Sequence, residues 1–177
     1  MIHIQDIMRA GHIKRWNIVN TTRQQTLAEH MYNVTMIAWQ LCEEMDVKYK
    51  DLISAEVLKW SLIHDIPEVV CGDTPTPTKN RMKKAGLDME VIYDEIDPAY
   101  KQTKLDTCGL SKWIVKVADT IEGYWFIREH GVGNHAKAIA DSLYHRVHEM
   151  IDNQPDRKAA DVVRSLMNRI ISGPTYE

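Results

Sequence analysis

The strongest constraint on this chain is a period. In "TLAEHMYNVTMIAWQLCEEM", Leu27, His30, Val34, Ile37 and Leu41 return every three or four positions. That spacing puts them on one face of a helix, which needs a partner surface to cover it. Thr26 stands three residues before Glu29, a capping box for the start of that helix. The same period returns in "SAEVLKWSLIHD", with Ser54 as the expected cap, and in "SKWIVKVADTIEGYWFIREHG", from Ser111 to a Gly131 stop. It returns again in "NHAKAIADSLYHRVHEMI" and in "PDRKAADVVRSLMNRII", where Pro155 falls near the first turn. Residues 88–103 carry a weaker helix, complicated by Pro98. Strand alternation is nearly absent. The expectation is an all-α bundle of roughly six or seven helices, one domain over residues 1–177.

Composition narrows the class. A chain of 177 residues that is 44% hydrophobic and 27% charged can bury a proper core and is too apolar for disorder. A net charge of -3 argues against a dedicated nucleic-acid binder. Cys42, Cys71 and Cys108 are odd in number and form no Cys-x-x-Cys pair, so they read as three small buried thiols in a reducing compartment. The opening "MIHIQDIMRAGHIKRW" has no apolar signal core, and no segment reaches membrane-spanning length. A cytoplasmic protein without a membrane or nucleic-acid partner is expected.

One stretch departs from this plain picture. "HDIPEVVCGDTPTPTK", His64 to Lys79, crowds a His-Asp pair, a glutamate, a Gly-Asp turn and two prolines into sixteen residues. The prolines predict a rigid, extended or turn segment over "DTPTPTK". Taken singly, the polar residues have bland readings. His30 on an apolar face suits a hydrogen-bonded core histidine, and adjacent His64-Asp65 arises by chance. Asp119 lies mid-helix among Val115, Val117, Ala118 and Ile121, where an acid must be paired, protonated or metal-bound; Lys116, three residues earlier, offers an ion pair. Together they are two imidazoles and two carboxylates from three helices. Such a mixed nitrogen and oxygen set suits a divalent transition metal: zinc, manganese, cobalt or iron.

The order His30 … His64-Asp65 … Asp119 resembles the H…HD…D signature of the HD-domain metal-dependent phosphohydrolases. "KRWNIVNTTRQQTLAEHMYNV", "HDIPEVVCGDTPTPTK" and "KVADTIEGY" are most similar to the small 5'-deoxynucleotidases and the viral dATP triphosphohydrolases. The resemblance covers about the first 124 residues; the last 50 carry no motif that can be placed. It implies an HD-domain fold in which His30, His64, Asp65 and Asp119 hold one divalent metal, with room for a second ion carried by the phosphates. Asp65 and Asp119 would serve catalysis as ligands, and Glu68 as general acid or base. Asp73 would accept from the deoxyribose 3'-hydroxyl. Gly72 would permit the turn, and Thr74, Pro75 and Pro77 would hold the wall beside the sugar. Arg15 would reach phosphate, and Trp16 would crowd the sugar's C2' edge; a solvated charge and a core aromatic are their bland alternatives. Lys79 and Lys116 match positions that can face phosphates.

The resemblance also sets the expected activity. It is hydrolysis of a 2'-deoxynucleotide, dATP to deoxyadenosine and triphosphate, with a 5'-deoxynucleotidase acting on monophosphates as the alternative. A catalytically silent nucleotide-binding module is a third reading, from another class. Lys79, Arg81, Lys83 and Lys84, with the net +3 of residues 1–26, suit a positive mouth for a highly charged anion, or else solvated faces. Relatives assemble, so a homo-oligomer is implied, with apolar residues of the final helices as the contact candidates. If the chain is viral, its compartment is the host cytoplasm.

Overall fold

The structure, a computed structural model, describes residues 2–45 and 50–173. Its order is α1 (Ile4–Ile7), a 3-10 turn (Met8–His12), α2 (Leu27–Glu44), α3 (Lys50–Ile63), α4 (Glu68–Cys71) and α5 (Thr76–Lys84). Then come α6 (Met89–Ile96), α7 (Pro98–Asp106), α8 (Gly109–His130), α9 (Gly133–Asp152) and α10 (Arg157–Ser172). The all-α expectation holds: among the described residues the only β pairing is two isolated bridges. There are more helices than six or seven, because residues 64–108 break into short ones.

Helices α2, α3 and α8 pack against one another, α9 lies along α8, and α10 covers α9 and α2. The capping box of α2 forms, the Thr26 hydroxyl accepting from the Glu29 amide at 3.2 Å. Its buried face holds Leu27, His30, Met31, Val34, Ala38, Leu41 and Cys42. Helix α8 runs through the centre, with Ile114, Val117, Ala118 and Ile121 fully buried. Each of the isoleucines and the valine contributes about 1.5–3 kcal/mol by leaving water.

Local chemistry moved several boundaries. Ser54 lies inside α3, which starts at Lys50. Helix α8 begins two residues before Ser111 and uses Cys108 as its cap, the thiol accepting from the Ser111 amide at 3.4 Å. Residues 88–103 split where Pro98 opens α7 and Asp97 caps it, accepting from the Ala99 amide at 3.0 Å. The extended run of "DTPTPTK" ends at Pro75; Pro77 sits exposed in the first turn of α5, where a missing N–H does no harm. Asp156 caps α10, with Pro155 just before it. Only Cys42 is a buried thiol; Cys71 is exposed and Cys108 half-buried, and all three are free. The apolar face of α10 closes the core through Ala159, Ala160, Val163, Leu166 and Met167, the alternative to a contact surface for these residues. No described helix is long and apolar enough to cross a membrane.

Residues 13–27 form a loop stitched to both long helices. The Arg15 amide donates to the Gln25 carbonyl and the Leu27 amide to the Ile13 carbonyl, each at 3.0 Å, around an antiparallel bridge from Lys14 to Thr26. Farther along, the Thr22 amide donates to the His130 carbonyl at 2.8 Å and the Val132 amide to the Asn20 carbonyl at 2.9 Å. Thr21 and Gly131 bridge there. Gly131 has no room for a side chain: an added Cβ would lie 2.5 Å from the Ile127 carbonyl oxygen and 2.7 Å from the Ala136 Cβ.

Candidate active site and metal centre

Three elements bring the predicted ligands together. His30 comes from α2, His64 and Asp65 from the turn after α3, and Asp119 from α8. Ligand atoms of His30, His64 and Asp65 all lie within 4.8 Å of one another. His30 Nε2 stands 3.5 Å from Asp65 Oδ2 and 3.4 Å from Asp119 Oδ1, and His64 Nε2 lies 3.6 Å from Asp65 Oδ2. Asp119 thus joins the group through His30 rather than by closeness to every member.

The histidines are aimed by what holds their other nitrogen. His64 Nδ1 donates to the Ser61 carbonyl at 2.8 Å, which leaves the Nε2 lone pair facing the cluster. His30 Nδ1 lies 2.7 Å from Glu122 Oε2, with both side chains buried. Neither Nε2 has a hydrogen-bond partner, although both are buried. Imidazoles anchored this way, with carboxylates beside the free nitrogen, are the donor set a divalent metal ion requires, and the residues fit it. The electrostatics agree. Burial and the Arg15 charge oppose a proton on His30, but the neighbouring carboxylates of Asp119, Asp65 and Glu122 prevail and raise its pKa to about 10. The cluster selects positive charge, as proton or metal ion. For Asp65, burial is outweighed by His64, His30 and Arg15, which hold its carboxyl far below the usual range. Asp119 is likewise lowered against burial, chiefly by Lys116 and His30.

The ion pair between Lys116 and Asp119 exists at 2.7 Å, yet it engages Oδ2 and leaves Oδ1 toward His30. The ion pair with Lys116 thus leaves one oxygen of Asp119 directed at the cluster. Arg15 donates from a terminal nitrogen to Asp65 Oδ2 at 3.1 Å, and its buried Nε has no partner. Burial works against the Arg15 charge, and Asp65, Asp73, Asp119 and Glu68 more than offset it.

Glu68 opens α4 and is fully buried. Its Oε1 accepts from Lys79 Nζ at 2.8 Å and from the Tyr93 hydroxyl at 3.1 Å, while Oε2 is buried without a partner. Burial, with the Asp65 charge, pushes its pKa up to about 8; the Lys79 ammonium opposes this without cancelling it. Lys79, expected at a phosphate, is thus held by Glu68. Gly72 takes the left-handed φ of 77° after α4, the turn expected of it. Asp73, Thr74 and Pro75 follow, half-buried, and Asn17 donates to the Asp73 carbonyl at 3.4 Å, joining the two proposed walls.

Trp16 is the one non-glycine described residue with positive φ, at 62°. Its ring stacks on Phe126, with centroids 6.1 Å apart, and its indole N–H donates to Gln25 Oε1 at 2.8 Å. It is half-buried, so it is not a plain core aromatic.

A cavity of about 290 Å³ opens beside His64, Asp65 and Asp119, lined also by Trp60, Tyr100, Lys104, Lys112 and Lys116. Lys112, Lys116 and Asp119 follow i, i+4, i+7 along one face of α8. The cation run of α5, in contrast, is largely a solvated face, with Lys83 paired to Asp88 at 3.1 Å. Sequence reasoning missed Glu122, Gln25, Tyr93, Lys104 and Lys112. Glu122 carried the same signal as Asp119, an acid beside Ile121 on a buried stretch one turn later. The others carried none.

The family model described as 5'-deoxynucleotidase YfbR-like matches residues 3–167. A dATP triphosphohydrolase of Salmonella phage PMBT28 is 32% identical over 84% of this chain and 77% of its own. Another, from Cyanophage S-2L, is 28% identical over 93% and 92%. A 5'-deoxynucleotidase of Shewanella oneidensis is 26% identical over 81% and 80%. The solved Cyanophage S-2L HD phosphohydrolase DatZ, bound to dA and one catalytic zinc ion, superposes with a TM-score of 0.88 at 25% identity, covering 98% of this chain and 99% of that one. The chain belongs to the YfbR-like family of HD phosphohydrolases.

Proposed function

From this membership and geometry, we propose that the protein hydrolyses dATP to deoxyadenosine and inorganic triphosphate. One observation carries the reading. Among the described residues, five buried side-chain polar atoms lack a partner, and four of them are Arg15 Nε, His30 Nε2, His64 Nε2 and Glu68 Oε2. Unsatisfied buried groups are rare and disfavoured, so four belonging to one set of neighbouring residues describe a site shaped for a charged ligand.

His30, His64, Asp65 and Asp119 hold the metal, zinc in the first instance, as in the similar phage enzyme. A divalent ion bound there supplies Lewis-acid charge at the phosphorus centre. Glu68, neutral at pH 7 with a pKa of about 8, keeps a proton for the leaving 5'-oxygen. Water oxygen would bond to the α-phosphorus as the P–O5' bond breaks; the Glu68 proton would pass to O5', and the proton lost by the attacking water would return through solvent to Glu68. Lys79 and Tyr93 fix the glutamate for that transfer. Arg15 offers its unpaired N–H to a phosphate oxygen. Asp73 accepts from the 3'-hydroxyl, Thr74 and Pro75 line the sugar, and Trp16 crowds C2'. The β- and γ-phosphates extend into the cavity toward Lys116, Lys112 and Lys104.

The monophosphate reading has one observation of its own. Lys116 is paired with Asp119, and Lys104 with Glu90 and Asp94, so much of the cavity's positive charge is already balanced. The deciding experiment incubates zinc-loaded protein with dATP and with dAMP and separates the products. Deoxyadenosine and triphosphate from dATP are expected. Much faster turnover of dAMP would establish the nucleotidase, and dAMP with pyrophosphate would overturn the register of the phosphates.

A further inference from the structure

We propose that Gln25 and Glu122 form a positioning relay that ties the substrate-facing Trp16 to the metal ligand His30. The chain of contacts is continuous. The Trp16 indole N–H donates to Gln25 Oε1 at 2.8 Å, the Gln25 amide donates to Glu122 Oε1 at 2.5 Å, and His30 Nδ1 lies 2.7 Å from Glu122 Oε2. Asn33 adds a second donor to Glu122 Oε1 at 3.1 Å. Gln25 and His30 are fully buried and Glu122 is 2% exposed, so water does not compete for these bonds.

Each end has something to be held. At one end, Glu122 takes the proton-bearing nitrogen of His30 and so sets which nitrogen faces the metal. At the other, the Trp16 backbone is in the left-handed region, which a bulky residue keeps only when its surroundings over-determine it. Gln25 links the two, bonded to the indole on one side and to Glu122 on the other. Its amide can satisfy the indole only with Oε1 and the carboxylate only with Nε2, so a single orientation serves both ends. Filling the metal site thus favours the seated indole, and a seated indole favours the metal. By linkage the effect is reciprocal. That the indole borders the sugar rests on the function proposed above; the coupling to the metal does not.

The test measures zinc affinity by chelator competition without nucleotide, and the dATP to ATP ratio of kcat/KM, in the full chain. Gln25→Leu should weaken zinc binding about tenfold, the lower range for partners of a metal-bound histidine, and reduce sugar discrimination. Trp16→Phe keeps an aromatic ring but removes the N–H, together with part of the indole's packing surface. It should weaken zinc binding severalfold although Trp16 touches no ligand, a change that a purely local packing role would not produce. If Gln25→Leu does not fold, Trp16→Phe decides alone. Unchanged zinc affinity in Trp16→Phe overturns the relay. If Trp16→Ala leaves the dATP to ATP ratio at its wild-type value, the sugar wall fails, while the affinity of Trp16→Phe still judges the relay.

Discussion

The site is assembled from two unlike regions. On one side stand α2 and α8, long helices whose apolar faces bury them against each other and place His30, Asp119 and Glu122 by packing. On the other lies 64–108, a run of short helices and turns that places Asp65 and Glu68 through hydrogen bonds and prolines. The long helices bring His30 and Asp119 to the cluster, and the short-helix region brings His64 and Asp65 to it. The short region alone also buries a glutamate, whose pKa is pushed up to about 8 by that burial and the Asp65 charge. The cluster is shared by both regions; the raised acid belongs to one.

The sharpest break in that division is Asp65→Ala. Asp65 sits where the regions meet, touching His30, His64 and Arg15. Its loss should abolish stoichiometric metal, read by elemental analysis, and turnover with it. Normal activity in that variant would refute the site. Glu68→Gln comes next and should separate the two regions. Metal content and substrate affinity should hold while turnover falls roughly a hundredfold or more. A fall in affinity with turnover intact would make Glu68 a binding residue.

Gly131→Ala tests the long-helix side alone. With the Ile127 oxygen 2.5 Å away, the end of α8 and the loop it bridges at Thr21 must shift, a destabilisation of about 1–3 kcal/mol in denaturant unfolding. No change would mean that this corner yields freely. The remaining test is a pH dependence. Glu68 is raised to about 8, so the folded state holds a proton that the unfolded chain releases near the ordinary carboxyl range. Its stabilising contribution is complete below that range and is lost as pH rises toward 8, with a slope of at most ~1.4 kcal/mol per unit. The metal-free protein minus its Glu68→Gln variant should show that decline. A difference that is flat, or that grows with pH, would contradict a buried, protonated glutamate.

What could be read from the sequence divides along the same line. The period of α2, its Thr26–Glu29 cap and the acid on the apolar stretch of α8 are local facts, legible in the chain; the four candidate ligands were named through the family resemblance. Cys108 as a cap, Pro98 as a helix start and Pro77 inside α5 depended on which neighbour won a backbone group. Lys79 shows the limit most plainly: its charge was legible, but only the approach of α5 to α4 shows that Glu68 takes it. Gln25, Tyr93 and Lys112 become meaningful through contacts 25 or more residues away, or through a cavity wall, and no pattern in the chain marks them.

The left-handed backbone at Trp16 has a consequence for ligand affinity. Such a conformation in a bulky residue stores about 1–3 kcal/mol, set against an indole hydrogen bond, a ring stack and the turn closed by the Val19 amide on the Trp16 carbonyl at 3.0 Å. The balance between seated and released tryptophan is therefore a population, and a nucleotide that needs the seated form sees its dissociation constant divided by that fraction. Substitutions along residues 18–25, behind the tryptophan, are expected to weaken substrate binding while leaving the substrate-facing side chains in place.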